Sequence, residues 1–294
     1  MPSMTKLSGN AGDVLKHALL DVTITQASGG RMLVVETHAG PGSSMFMVPK
    51  GDPSRGHLLA AIPSPSTSWT GPYESVLKRS MLVAPTATGV DVTYPGSPHH
   101  VVLTSARADC LFIEKRLPTY VRLEKSISQQ TACSGRTVRL LHQDWRTVAS
   151  SFPMGLRPPN PRYDFVILHL DPWKYDPRGS HPAHLSRTDL TDAVALARRL
   201  AIDGIVAVFT FRNGTNLRAD LSAAASSQAV LFEIAQSQPK PLFLNYGWCA
   251  VGIGPCGASL VAGASGLAPT RTGVRRSMPT TPVLATWGFQ VFAT

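Results

Sequence analysis

Short aliphatic, β-branched runs recur along this chain and decide what it can become. They are MLVVE (32–36), CLFIE (110–114), TVRLL (137–141), FVILHL (165–170) and GIVAVFTF (204–211), followed by AVLFEI (229–234) and WCAVGIG (248–254). Each has the length of a strand, and most lack the polar alternation of a sheet with one wet face. Between the fourth and fifth lies RTDLTDAVALARRLA (187–201), whose apolar residues repeat at helical spacing. Strands alternating with helices close into a mostly parallel sheet covered on both faces. The expectation is an α/β chain with a Rossmann-like sheet of seven strands, antiparallel at its end.

Two stretches break this rhythm. Residues 43–93 are rich in Pro, Gly and Ser and hold one helix-patterned run, GPYESVLKRSMLV (71–83), so they read as an insertion after the first strand. Insertions at the carboxyl edge of such a sheet often cover a ligand. Residues 255–282 are similarly Gly-, Ala-, Pro- and Ser-rich and read as a long loop before a final strand, VLATWGFQVF (283–292).

Composition narrows the function classes. No apolar run approaches the roughly 20 residues that cross a bilayer, and the N-terminus lacks the pattern of a signal peptide; a cytoplasmic location with no membrane association is expected. The 4 cysteines show no C-x-x-C spacing, which points away from a metal site. A net charge of +10 permits a polyanionic partner such as RNA without requiring one.

Ligands of open α/β sheets bind beyond the carboxyl ends of the strands, and four such ends carry polar groups. The first is ETHAGPG (36–42), where Gly40 and Gly42 allow a tight turn flanked by Glu36 and His38. Glu114 ends the second strand, placed to take both hydroxyls of a ribose by paired hydrogen bonds. Asp144 follows the third and can accept from the exocyclic amine of adenine, with Trp145 offering an apolar face. Asp171 follows the fourth in LHLDPW, where Pro172 fixes the exit and Trp173 can stack on a flat acceptor. A carboxylate there can serve as general base or hydrogen-bond acceptor for an amine. That order fits binding of S-adenosyl-L-methionine better than a dinucleotide, since no G-x-G-x-x-G follows the first strand.

Taken together, GNAGDVLKH (9–17), ETHAGPG, YPGSP (94–98), EKRLPTY (114–120), QDW (143–145) and LDPW (170–173) resemble, in order and spacing, the RlmJ family of 23S ribosomal RNA adenine-N6 methyltransferases. The resemblance runs through nearly the whole chain and implies a single class I methyltransferase domain over 1–294 with a small helical insertion. It implies that Lys16 and His17 close over bound S-adenosyl-L-methionine near its methionyl carboxylate. His38 and Gly40 would line the cofactor loop, Ser97, Glu114 and Asp144 would complete the pocket, and Asp171 would face the acceptor.

The acceptor motif departs from the family. D-P-P-Y is replaced by Asp171, Pro172, Trp173 and Lys174, so the second proline is gone and the ring arrives one position early. A retained cofactor set beside an altered acceptor loop points to methyl transfer onto an amine of a small or medium-sized molecule. Two other readings keep the same chain: adenine-N6 methylation of ribosomal RNA, with Trp173 as the missing aromatic, and a catalytically silent RNA-binding module.

Overall fold

The computed structural model describes residues 11–27, 29–50, 72–105, 107–131, 137–151, 163–171, 174–181, 184–210, 219–220, 223–224, 232–236, 247–253, 276–278 and 289–293. In chain order they form α1 (Ala11–Gln26), β1 (Met32–Glu36), β2 (Ser43–Pro49), α2 (Pro72–Ser80), β3 (Leu82–Pro85), β4 (Gly89–Pro95), α3 (Ser97–Thr104) and β5 (Asp109–Ile113). There follow α4 (Leu117–Thr131), β6 (Val138–Leu141), α5 (Trp145–Ser151), β7 (Tyr163–Leu170), β8 (Lys174–Tyr175), β9 (His184–Leu185), α6 (Arg187–Leu200) and β10 (Ala201–Thr210). The last strands are β11 (Phe232–Gln236), β12 (Gly247–Ile253), β13 (Arg276–Met278) and β14 (Phe289–Ala293).

The main sheet runs β13-β14-β11-β12-β10-β7-β1-β5-β6. From β6 to β10 the neighbours are parallel; from β10 outward every pair is antiparallel. Each of the seven runs expected as strands is represented, but among the described residues the sheet has nine. β14 is the end of the expected final strand; β13 was not expected and falls inside the stretch read as a loop over 255–282. Arg276, Ser277 and Met278 include none of the β-branched or aromatic side chains that mark a strand, so β13 did not stand out in a Gly- and Pro-rich segment; most of 255–282 lies outside the described residues.

β1 sits between β5 and β7, so the chain proceeds to one side of it through β5 and β6 and returns to the other through β7 and β10. That reversal is the switch point where α/β sheets hold ligands. Side chains alternate across the sheet. Leu33, Val35, Leu111, Ile113, Val166, Leu168 and Leu170 face α5 and α6 and form one apolar core with Val148, Leu190, Val194 and Ala197. Glu36, paired in register with His169, faces the opposite way, beneath α1 and α3.

The helical insertion expected from sequence is mostly strand. β2, β4 and β3 form a separate antiparallel sheet, with α2 packed on one side through Tyr73 and Leu77 against Val48, Val92 and Tyr94. The strand signal was weak because exposed positions of β2, and of β3, which is exposed throughout, hold Met45, Met47 and Leu82, which blur the polar alternation. Residues 51–71 lie outside the described residues.

α6 is the most fully specified helix. Ser186 caps it, accepting from the Asp189 backbone while Asp189 answers to the Ser186 backbone, and Arg198 and Arg199 occupy its last turn. No helix among the described residues is long and apolar enough to cross a membrane.

Candidate functional site

The loop after β1 is woven between its neighbours. Thr37 donates its backbone N–H to the His169 carbonyl at 3.1 Å and Ala39 to the Ile113 carbonyl at 3.1 Å. The chain then turns at Gly40, whose φ of 65° lies in the left-handed region that favours glycine. Among the described residues a Cβ there would meet nothing within 4 Å, so on their account the turn borders open space. Gly96 of YPGSP closes on this loop from the other side. Its N–H donates to the Gly42 carbonyl at 2.6 Å, and a Cβ on Gly96 would lie 2.8 Å from that oxygen.

Glu114, buried at the end of β5, is held at both oxygens: Gly40 N–H donates to Oε2 at 3.1 Å and Arg116 N–H to Oε1 at 2.8 Å. Backbone donors fix the carboxylate before any ligand arrives and leave each oxygen a second lone pair. One strand over, Asp144 accepts from Lys115 Nζ at 2.8 Å and from the Arg146 backbone at 3.1 Å. Burial acts to raise its pKa, but these hydrogen bonds and the charges of Lys115 and Arg146 outweigh that and hold it below the usual carboxylate range. Trp145 offers no apolar face to this space: it is buried in the core beneath α5 and α6, because the helix that starts there turns its first residue inward.

At the end of β7, Asp171 receives Lys16 Nζ on both oxygens, at 3.0 and 2.9 Å, and the same ammonium lies 2.9 Å from Asp13. Burial alone would lower the pKa of Lys16; the charges of Asp13 and Asp171 more than reverse it, so the group stays cationic at any working pH. His17, its sequence neighbour, goes elsewhere. Its Nδ1 is 2.8 Å from the Tyr94 hydroxyl, and its ring lies 4.5 Å from that of His100. Burial first, then the charges of His100, Lys16 and His169, push its pKa well below the ordinary value, so the ring is neutral.

Ser97 opens α3 and donates its only hydroxyl proton to Glu36 Oε2 at 2.9 Å. His169 Nδ1 shares that oxygen, while the buried Glu36 Oε1 meets no partner among the described residues. His38, half-buried, is bonded through Nδ1 to Thr37 Oγ1 at 2.8 Å. Burial lowers its pKa to about 4, with Asp171 pulling weakly upward.

The structure thus brings Gly40, Glu114 and Asp144 to adjacent strand ends, gathers Lys16 onto Asp171, and sets Ser97 against Glu36. Pro172 and Trp173 lie outside the described residues. Sequence reasoning missed Asp13, Tyr94 and His169 as members of this neighbourhood. Asp13 precedes Lys16 by one helical turn, a legible ion-pair spacing; His169 looked like one more position in an apolar strand, and only the β1–β7 register reveals its partner. Among the described residues no group of three or more His, Cys, Asp and Glu is arranged to hold a metal ion.

No protein-family model matches the chain, and no curated protein matches it. A solved Legionella pneumophila (strain Philadelphia 1) protein of the family model DUF519 aligns with 98% of this chain and 97% of its own, at 17% identity and a TM-score of 0.61. The likeness is one of fold. An rRNA methylase from Streptococcus thermophilus aligns with 80% of this chain and 95% of its own, at 8% identity and a TM-score of 0.40. TYW2 of M. jannaschii, in complex with AdoMet, aligns with 80% and 75% at 11% identity and a TM-score of 0.36.

Proposed function

We propose that the chain, as a single domain with the 43–93 insertion, is an S-adenosyl-L-methionine-dependent methyltransferase that acts on an amine nitrogen. The observation that carries this is Glu114, anchored by the Gly40 and Arg116 backbones one strand from Asp144. Two carboxylates at neighbouring strand ends suit the ribose hydroxyls and the adenine amine of one nucleoside, with the open side of Gly40 allowing close approach. When bound, S-adenosyl-L-methionine supplies a methyl group activated by its sulfonium.

This chain's residues supply alignment and proton handling. Ser97, its proton committed to Glu36, meets a ligand as an acceptor and so favours the ammonium of the methionyl group over its carboxylate. Asp171 orients the acceptor amine and takes its proton, which requires Lys16 to yield at least one of its two hydrogen bonds to that carboxylate. His38, neutral at pH 7, adds no charge against the sulfonium.

The altered acceptor motif favours a small or medium-sized amine. A second reading, a base amine in RNA, draws on the exposed Lys115, Arg116, Arg122 and Lys125 beside the two nucleoside acids and on the net charge of +10. Calorimetry with S-adenosyl-L-methionine and S-adenosylhomocysteine tests the cofactor: binding is expected, weakened about 30-fold or more by Glu114→Ala or Asp144→Ala. No binding by the unmodified chain sinks the reading and leaves a silent module. Transfer of a labelled methyl to ribosomal RNA transcripts, suppressed by added salt, would select RNA over small amines.

A further inference from the structure

Arg146 stands where two parts of the site meet. Its backbone N–H donates to Asp144, the carboxylate assigned above to adenine. Its guanidinium reaches the start of α6 and β9: Nε donates to Asp189 Oδ1 at 2.6 Å, Nη2 to Asp189 Oδ2 at 2.8 Å, and Nη2 also to the His184 carbonyl at 2.9 Å. Asp189 is the residue that closes the α6 capping box with Ser186. His184 begins β9, which pairs with β8, and β8 starts three residues after Asp171. β8 is tied down at its own end, where Tyr175 donates to Asp220 Oδ2 and Arg187 Nε donates to Asp220 Oδ1 at 2.8 Å.

One residue therefore joins the strand end that would hold the cofactor's base to the strand pair that leads out of the acceptor carboxylate. We infer that Arg146 is a positioning residue, a rigid tie through which filling of the Asp144 subsite sets the placement of the 174–186 segment and of Asp171 before it. The inference rests on the cofactor reading above. The fork is what the role needs: a bidentate pair with Asp189 fixes direction as well as distance, and a further N–H of Nη2 reaches the His184 carbonyl. A lysine would keep the charge and lose both constraints. A ligand amine arriving at Asp144 takes second lone pairs of the oxygens that Lys115 and the Arg146 backbone already hold, so the carboxylate at the root of the tie is further restricted and the tie tightened when the subsite fills. By linkage, whatever favours the tightened arrangement of 174–186 also favours the cofactor.

Hydrogen–deuterium exchange on the full chain, alone and with S-adenosylhomocysteine, separates this role from simple stability. In the unmodified chain the nucleoside is expected to slow exchange over 174–186. In Arg146→Lys, exchange there should rise about tenfold without ligand, and added nucleoside should no longer slow it, although the nucleoside still binds and α1 and β1 exchange as before. Asp189→Asn, which cuts the tie from its other end, should give the same pattern. Ligand-free exchange over 174–186 within about twofold of the unmodified chain in both variants would overturn the inference, as would nucleoside-induced slowing that survives in them. Failure of the unmodified chain to bind the nucleoside would instead remove the cofactor reading, with the ligand-free comparison still deciding whether Arg146 holds the segment.

Discussion

The two faces of the main sheet are built on different terms. The face under α5 and α6 is dry: Leu33, Val35, Leu111, Val166, Leu168 and Leu170 pack against helices that bring Leu190, Ala193 and Val194. The face under α1 and α3 buries Glu36, His169, Ser97, His17, Asp21 and His100, with Leu20, Ile24 and Val101 between them. Asp21 there accepts from His100 Nδ1 at 2.6 Å and from Thr104 at 2.7 Å. Burying apolar area contributes about 25 cal/mol per Å² without regard to direction, whereas a buried polar group must be paired or it costs several kcal/mol. The dry face supplies stability that tolerates small changes. The polar face spends stability on fixed orientations, and the site lies at its edge.

Changes on either face test that division. Asp21→Ala, which leaves His100 and Thr104 without their shared acceptor, should cost about 4 kcal/mol in denaturant unfolding; a loss below about 1 kcal/mol would erase the contrast. Leu168→Ala on the dry face should cost about 3 kcal/mol and leave nucleoside affinity untouched, as calorimetry on the folded variant would report. Between pH 6.5 and 4 the acid response should come from the buried histidines, while the carboxylates held low, Asp144 and Asp189, respond only in stronger acid. The folded pKa of His38 is about 4 against 6.5 unfolded, so the unfolded chain binds the extra proton between those values. The resulting stability is complete above pH 6.5 and lost as pH falls to about 4, a change of about 2 kcal/mol once solvent screening is allowed for. His17 and His99, also shifted downward by burial, act in the same sense. His38→Asn should flatten part of that slope; an unchanged profile would sink the assignment. Smallest in stability, about 1 kcal/mol, is Ser186→Ala, which removes the α6 cap and should leave the histidine slope between pH 4 and 6.5 as it was.

The dry face was the legible one. MLVVE, CLFIE and FVILHL are apolar at nearly every position, so the parallel strands were marked by composition before any pairing was known, and α6 carried both its cap and its period. Glu36, Glu114 and Asp171 were legible for the same reason, because each follows directly on an apolar run, and Asp144 stands three residues past Leu141. What the polar face adds was not. Asp21 and His100 lie far apart in the chain and each resembles a surface residue; only the packing of α1 on α3 makes them partners. The insertion's strands were hidden by exposed methionines and a leucine where polar residues would announce a wet face. The splitting of Lys16 from His17 depended on helix direction, since adjacent residues point about 100° apart on a helix and meet different neighbours.

The placement of β1 has a consequence for how the molecule comes into being. It leaves the ribosome well before either neighbour, since Met32 must wait for Phe165 on one side and Leu33 for Asp109 on the other. At about 5–20 residues per second this greasy ribbon spends several seconds or more unpartnered in the nascent chain. Expression yield should therefore respond to chaperone supply and to translation speed across 37–165 more than to the finished protein's melting temperature.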